Sequence, residues 1–252
     1  MRLLTVARDL RRRKARERLG KFVAEGIRTV EELLRSRVNI TGAIISPPLD
    51  ATTRGALLRK ALEDRQIMIQ SVTDTELSGA SDTDTPQGVL VIADIPKRSV
   101  TDVMPVTPQR LLVLDGVQDP GNLGTMIRTA RAFGVHASLA MPGTVDLWNA
   151  KVVRGAMGAV FHHQAMDCSW EELDVLVVAN SVELWGADAG GVTLAALDPP
   201  ERLGVVVGNE GSGLSEDAAK RISTRLGIPI DDRAESLNVA VAAGIILYHV
   251  RI

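Results

Sequence analysis

One cysteine, Cys168, stands in a chain of 252 residues. Without a second thiol, an internal disulfide and a cysteine-built metal cluster are both excluded, and Cys168 reads as a small half-buried hydrophobe. Aromatic residues are scarce, at 3%. The tryptophans Trp148, Trp170 and Trp185, with His162 and His163, form no pattern that would read a nucleic-acid base, and are expected in the core or on the surface. No apolar run approaches the roughly 18 uninterrupted residues of a membrane span. The opening MRLLTVARDLRRRKARERLG has too short an apolar run for a secretory signal, so a cytoplasmic setting is expected. The chain has neither an internal repeat nor a low-complexity tract. It also lacks the G-x-G-x-x-G of a dinucleotide site and the G-K-[ST] ending of a P-loop, and with them the case for a nucleotide-dependent oxidoreductase.

What is present suits a soluble globular protein: 45% hydrophobic and 24% charged residues, over a length that allows one large domain or two ordinary ones. The net charge of −2 conceals an asymmetry. Residues 1–37 hold twelve Lys or Arg against five acidic residues, a local excess of +7, and eight of the twelve fall between Arg8 and Lys21. Arg and Lys are good helix formers that usually face water. Here Arg11, Arg12, Arg13 and Lys14, with Arg16 and Arg18, cover most of a helix circumference. That density points to a polyanion, because each neutralised phosphate releases counterions.

The chain divides into three parts. In residues 1–95, Phe22, Val23, Ile27, Val30, Leu33 and Leu34 recur at helical spacing and predict an amphipathic helix over 21–36. β-like runs at Ala43–Ile45, Ile67–Ile69 and Val89–Ala93, with a helix at Arg54–Glu63, complete a small α/β/α domain. Residues 96–109 are proline-rich and read as a linker. From 110 to 252, strands are predicted at Arg110–Leu114, Val135–Leu139, Phe161–Ala165, Val175–Ala179 and Gly204–Gly208. Helices are predicted at Leu123–Phe133, Ala150–Met157, Glu216–Ile222 and Leu237–His249. Such near-continuous apolar strands suit a mostly parallel sheet covered on both faces.

Ligands of parallel sheets collect where strands end, and three polar, glycine-bearing turns follow apolar runs here. The first is DGVQDPGNLGTMIRTARAFG, residues 115–134, with Asn122 in its turn and Arg128 on its helix. The second is VVVGNEGSGLS, residues 205–215, where Gly208, Gly211 and Gly213 allow close backbone approach and Glu210 supplies a carboxylate. The third is IPIDDRAESLNVAVAAGIILY, residues 228–248, with Ser236 and Asn238 at the mouth of an apolar helix. Taken singly, each has a structural explanation: Ser215 and Ser236 as helix caps, Arg128 as a solvated arginine. Their occurrence together is the stronger signal.

The combination resembles the SpoU, or TrmH-like, family of RNA ribose 2′-O-methyltransferases of the SPOUT superfamily. The first motif is similar through Asn122-Leu123-Gly124, Arg128 and Phe133-Gly134. The second is similar through Gly208-Asn209-Glu210-Gly211 and Gly213-Leu214-Ser215, and the third through Ile228-Pro229, Ser236-Leu237-Asn238-Val239 and Ala242-Ala243-Gly244. The stretch KVVRGAMGAVFH, residues 151–162, is also typical. More weakly, residues 22–34 and 85–94 resemble the small substrate-binding domain of many members, akin to ribosomal proteins that bind kinked RNA. Two departures stand out: the charged Asp231-Asp232-Arg233 in the third motif's loop, and Ala240 where serine is common.

The resemblance implies a SPOUT-type α/β domain with a trefoil knot over residues about 204–252, behind a small N-terminal α/β RNA-binding domain. It implies methyl transfer from S-adenosylmethionine to a ribose 2′-hydroxyl, with no metal required because the donor is already an activated sulfonium. Catalytic roles fall to Asn122, Arg128, Glu210, Ser236 and Asn238. Gly208, Ile228 and Leu237 would contact the cofactor, with Ile228, Pro229 and Leu237 walling its adenine. A homodimer is implied, in which the first-motif arginine reaches the partner's site. Arg11, Arg12, Arg13 and Lys14 would hold RNA. The basic N-terminal domain favours a large structured RNA, ribosomal RNA before transfer RNA, and a noncatalytic RNA-binding or ribosome-assembly protein of the same fold is the rival.

Overall fold

A computed structural model of the chain describes residues 2–231 and 233–251; Met1, Asp232 and Ile252 lie outside them. The chain begins with α1 (Leu3–Asp9), α2 (Arg13–Leu19), β1 (Lys21–Glu25), α3 (Ile27–Leu34) and β2 (Ile40–Ile45). It continues with α4 (Thr53–Asp64), β3 (Ile69–Ser71), α5 (Asp74–Ser78), β4 (Val89–Asp94), β5 (Gln109–Leu114), α6 (Pro120–Ala132) and β6 (Ala137–Ala140). Then follow α7 (Ala150–Gly155), α8 (Ala159–His162), β7 (Gln164–Asp167), α9 (Trp170–Asn180) and β8 (Glu183–Thr193). The last elements are β9 (Arg202–Val207), α10 (Glu216–Ala219), β10 (Thr224–Gly227) and α11 (Val239–His249). Two compact units result. One holds residues up to Lys97 together with Trp148–His162, the other Arg98–Leu147 together with the residues from His163 on.

The first unit is built on a four-stranded sheet in the order β1-β4-β2-β3. β4 lies antiparallel to β1 and β2, and β3 is parallel to β2. The single helix expected over 21–36 is instead a strand and a helix. Gly20 and Gly26 bracket β1 at φ +61° and +90°, conformations a helix interior does not contain. Phe22, Val23 and Ala24 are all buried, so their run of apolar side chains is that of a strand covered on both faces. The helical spacing belongs to α3 alone, which buries Ile27, Val30, Leu33 and Leu34.

The basic segment is likewise not one helix. It breaks between α1 and α2, and Arg16 turns inward, 4% exposed, to donate to the carbonyls of Leu10 and Arg11 at 2.7 and 2.9 Å. A buried guanidinium satisfied by the turn's own carbonyls holds the α1–α2 bend. The segment Trp148–His162, placed by sequence in the second domain, packs with the first. Trp148 and Phe161 lie 4.6 and 5.8 Å from the Phe22 ring, so all three share one core.

The second unit carries a six-stranded sheet in the order β10-β8-β9-β5-β6-β7, every pair parallel. Val100 and Val103, from the expected linker, are buried in its core with Leu111, Val113, Leu139 and Val206. The predicted strand Val175–Ala179 is helix α9. A capping box, in which the Ser169 hydroxyl accepts from Glu172 N while the Glu172 carboxylate accepts from Ser169 N, starts the helix five residues upstream. A start so well satisfied overrides the β-preference of Val175, Val177 and Val178. β8 and β10 had no apolar run to announce them, and the strand predicted at Phe161–Ala165 starts instead at Gln164, its first residues closing α8. Because all strands run the same way, the turns after β5, β9 and β10 emerge at one edge of the sheet.

Candidate active site

The three motif turns meet at that edge. Asp119 opens α6 as its N-cap: its Oδ1 accepts from Asn122 N at 2.7 Å, with Pro120 in the first turn, where its missing N–H costs nothing. This fixes Asn122 one turn into the helix. Its Nδ2 donates to Glu210 Oε1 at 3.1 Å, and its Oδ1 accepts from Asn238 Nδ2 at 2.9 Å. Asn238 in turn caps α11, its Oδ1 accepting from Ala240 N and Val241 N at 2.9 and 3.2 Å. A Glu210–Asn122–Asn238 relay thus joins one residue from each motif.

Glu210 sits at the tip of a tight hairpin closed by reciprocal bonds between Asn209 and Gly213 (Asn209 N to Gly213 O 2.9 Å, Gly213 N to Asn209 O 3.0 Å). Two glycines make the hairpin possible. Gly213 adopts φ +72°, and a Cβ on Gly208 would lie 2.3 Å from the Gly213 carbonyl carbon. The Glu210 carboxylate also accepts from Gln118 N and Asp119 N, each at 3.1 Å. Burial acts to raise its pKa, but the donors from Asn122 and the backbone outweigh it and hold the carboxyl below its ordinary value. Glu210 is therefore an anion committed to ordering the first-motif turn rather than a proton carrier.

Beside the relay lies a cavity of about 370 Å³, within the range of about 300–1,000 Å³ typical of small-ligand sites. Gly208, Glu210, Ile228, Ser236, Leu237 and Asn238, all singled out from sequence, line it. Pro229 is exposed and does not; Ile230 takes the adjoining wall. Arg128 is not among the lining residues. It stands exposed on α6, and its guanidinium makes no hydrogen bond or ion pair to any described residue. In the charged loop, Arg233 grips Asp231 through two hydrogen bonds of 2.8 and 2.9 Å, and these together with the Arg233 N–H push the Asp231 carboxyl down to about 2. Asp232 of that loop lies outside the described residues.

Residues 109–248 match the SpoU rRNA Methylase family, and residues 5–91 match the MRM3-like substrate binding domain. The chain belongs to the SpoU rRNA methylase family. It is 32% identical over 245 residues to the 23S rRNA (guanosine(2553)-2'-O)-methyltransferase RlmP of Bacillus subtilis (strain 168), spanning 97% of this chain and 94% of that protein. It is also 32% identical over 218 residues to the 23S rRNA (guanosine-2'-O-)-methyltransferase RlmB of Neisseria meningitidis serogroup B, spanning 80% and 82%. The AdoMet-bound rRNA methyltransferase of Sinorhizobium meliloti shares the fold with a TM-score of 0.86 at 28% identity, covering 98% of this chain and 93% of that one.

Within this SpoU fold the cavity also takes in residues that sequence reasoning missed. Ala187, Asp188 and Ala189 arrive from β8, whose glycines and alanines hid the strand. Asp188 accepts from Gly190 N at 2.9 Å and pairs with Arg225, and both interactions hold its carboxyl below the usual range. Leu226, Ala242 and Ile246 complete the apolar side. The basic run is exposed but partly engaged, Arg12 with Asp9 at 2.6 Å and Arg13 with Glu17 at 2.7 Å.

Proposed function

We propose that this SpoU-family chain methylates a ribose 2′-hydroxyl in ribosomal RNA, with S-adenosylmethionine as the methyl donor. The observation that carries the proposal is the Glu210–Asn122–Asn238 relay at the rim of a cavity built by the family's second and third motifs. The cavity suits the cofactor: small residues at Gly208, Gly213 and Ala242 admit close approach, and Leu226, Ile228, Leu237 and Ile246 offer apolar walls to an uncharged adenine. The bound cofactor supplies a methyl group activated on a sulfonium sulfur. The protein must align the hydroxyl with that carbon, an orientation effect worth several kcal/mol, and help it lose its proton.

Asn122, locked from both sides, presents one face of its amide to the ribose. Ser236 and Asn238 hold the third-motif loop and the attacking hydroxyl. Arg128 grips a phosphate and stabilises the alkoxide as it forms; a guanidinium suits that task better than accepting the proton. Its lack of a partner among the described residues supports a homodimer in which it serves the neighbouring site. α11 adds to that support. Val241 and Ile245 are exposed on it, with Tyr248, whose ring also meets Phe133, three residues on, an apolar stripe open to a second copy.

Residues 1–95 take the RNA, and Arg11, Arg12, Arg13 and Lys14 add the polyanion contact. The C-terminal knot of the family and a cytoplasmic location belong to the same proposal. No helix of the described residues is long and apolar enough to cross a membrane. Calorimetry separates the enzyme from a noncatalytic ribosome-assembly protein of the same fold: the enzyme binds S-adenosylmethionine, and neither heat nor thermal stabilisation on adding it would favour the alternative. Equal methylation of transfer RNA would move the substrate to that class.

A further inference from the structure

Asp115 has no role in the chemistry described above, yet it is a carboxylate only 4% exposed, at the C-terminal end of the central strand β5. Its Oδ2 accepts from Ser215 N at 2.7 Å, and its own N–H donates to Val207 O at 2.9 Å. Next to it, Gly116 O accepts from Asn209 Nδ2 at 2.8 Å. The two stems of the 208–215 turn are therefore fastened to consecutive residues of the first-motif turn, one at Asn209 and one at Ser215. Between them the hairpin is exposed and glycine-rich, with Glu210, Gly211, Ser212 and Gly213 all open to solvent, so its tip is held by its two stems together with the bonds that Glu210 accepts from Gln118, Asp119 and Asn122.

From this we infer that Asp115 is a positioning residue: by holding Ser215 N it places Glu210 against Asn122 and shapes the cofactor wall formed by Gly208, Asn209, Glu210 and Gly213. The inference rests on the methyltransferase reading of the cavity. Removing the carboxylate leaves the Ser215 N–H without its acceptor, and the turn must shift or hydrate to satisfy it. The substitution Asp115→Asn keeps the size and one acceptor oxygen. On the donor side, Ser215 has φ −68°, a value open to proline; Ser215→Pro deletes the N–H and the hydroxyl and sets the ring Cδ against the Asp115 carboxylate, so it breaks the contact from the other side. Ser215→Ala deletes only the hydroxyl that caps α10 through Ala218 N.

Titration of S-adenosylmethionine into the full-length protein tests this. Asp115→Ala and Ser215→Pro should each weaken binding about tenfold, whereas Asp115→Asn and Ser215→Ala should stay within about threefold of the parent. Because Asp115 acts through Glu210, Asp115→Ala should add little to the loss caused by Glu210→Ala, a coupling that independent sites do not show. Parental affinity in both Asp115→Ala and Ser215→Pro, or losses that simply multiply with Glu210→Ala, would overturn the role. Should Asp115→Ala fail to fold, the contrast between Ser215→Pro and Ser215→Ala decides. A parent that binds no S-adenosylmethionine at all would instead remove the methyltransferase reading itself.

Discussion

Asn122 Oδ1 accepts a hydrogen bond from Asn238 Nδ2 at 2.9 Å, across 116 positions of the chain. The bond ties the helix that opens the first motif to the helix that closes the third. Asn238 does two jobs, since its Oδ1 also caps α11. Its substitutions can separate them. Asn238→Ala should lose the cap, about 1 kcal/mol of stability, as well as the tie. Asn238→Ser should keep the cap and lose only the tie. Both variants are expected to turn over at least tenfold more slowly, but only Asn238→Ala should unfold earlier in urea. Parental turnover by Asn238→Ser would make the tie incidental.

Arg128 stands apart from this relay. Arg128→Lys keeps a charge but loses the planar two-pronged donor, and most of the turnover should go with it while S-adenosylmethionine affinity is retained. If the arginine serves a partner's site, light scattering should report twice the monomer mass, and Ile245→Asp on the α11 stripe should give inactive monomers. Mixing inactive Arg128→Ala with inactive Asn122→Ala protein should then restore part of the activity, because mixed dimers contain one intact site. Failure of mixing, or an active monomer, would return Arg128 to its own chain's site.

The basic run gives a salt-dependent expectation. Replacing Arg11, Arg12, Arg13 and Lys14 with alanine should raise the dissociation constant for ribosomal RNA. Its dependence on salt should also flatten, by roughly one unit of log–log slope for each phosphate left unneutralised. Since Arg12 and Arg13 already engage acidic neighbours, Arg11 and Lys14 should carry more of the effect. Cofactor affinity should not change. An unaltered slope would contradict a polyanion role.

His163 makes stability depend on pH. It is 5% exposed, its Nε2 lies 2.8 Å from Ser138 Oγ, and burial, reinforced by the positive charge of Arg98, Arg131 and His136, lowers its pKa to about 4. The folded protein keeps it neutral, while an unfolded chain takes up a proton below about pH 6.5. The unfolded state then binds more protons, so stability should be lost as pH falls from about 6.5 towards 4, by at most about 3 kcal/mol. Urea midpoints across that window check this, with His163→Gln expected to flatten the dependence.

How far the sequence could be read depended on what kind of signal each element left. β5 and β9 are runs of buried aliphatic residues and declared themselves, as did the three turns, because glycine, asparagine and serine at strand ends carry chemistry in their type and order. β8 did not: Gly186, Ala187, Ala189, Gly190 and Gly191 lower its apparent β-preference, and only pairing with β9 and β10 makes it a strand. Asp188 was lost with it. In α9 the error ran the other way, a valine-rich segment whose fate was decided by a cap outside the apolar run. The break at Gly26 and the packing of Trp148 and Phe161 against Phe22 are tertiary facts, and no periodicity within 21–36 or 148–162 encodes them. Asp115 was invisible for a simpler reason: its partner is a backbone N–H, which every residue but proline possesses.

The central claim, methyl transfer to a ribose oxygen of ribosomal RNA, is tested most directly by a single incorporation measurement. Ribosomal RNA from cells lacking the gene is incubated with the purified protein and methyl-labelled S-adenosylmethionine, then hydrolysed in alkali. A 2′-O-methyl group removes the hydroxyl that alkaline cleavage requires, so the label should appear in an alkali-resistant dinucleotide, from one position, and vanish with Arg128→Ala. Label in mononucleotides would place the methyl on a base, and no label from a protein that binds the cofactor would contradict the assignment.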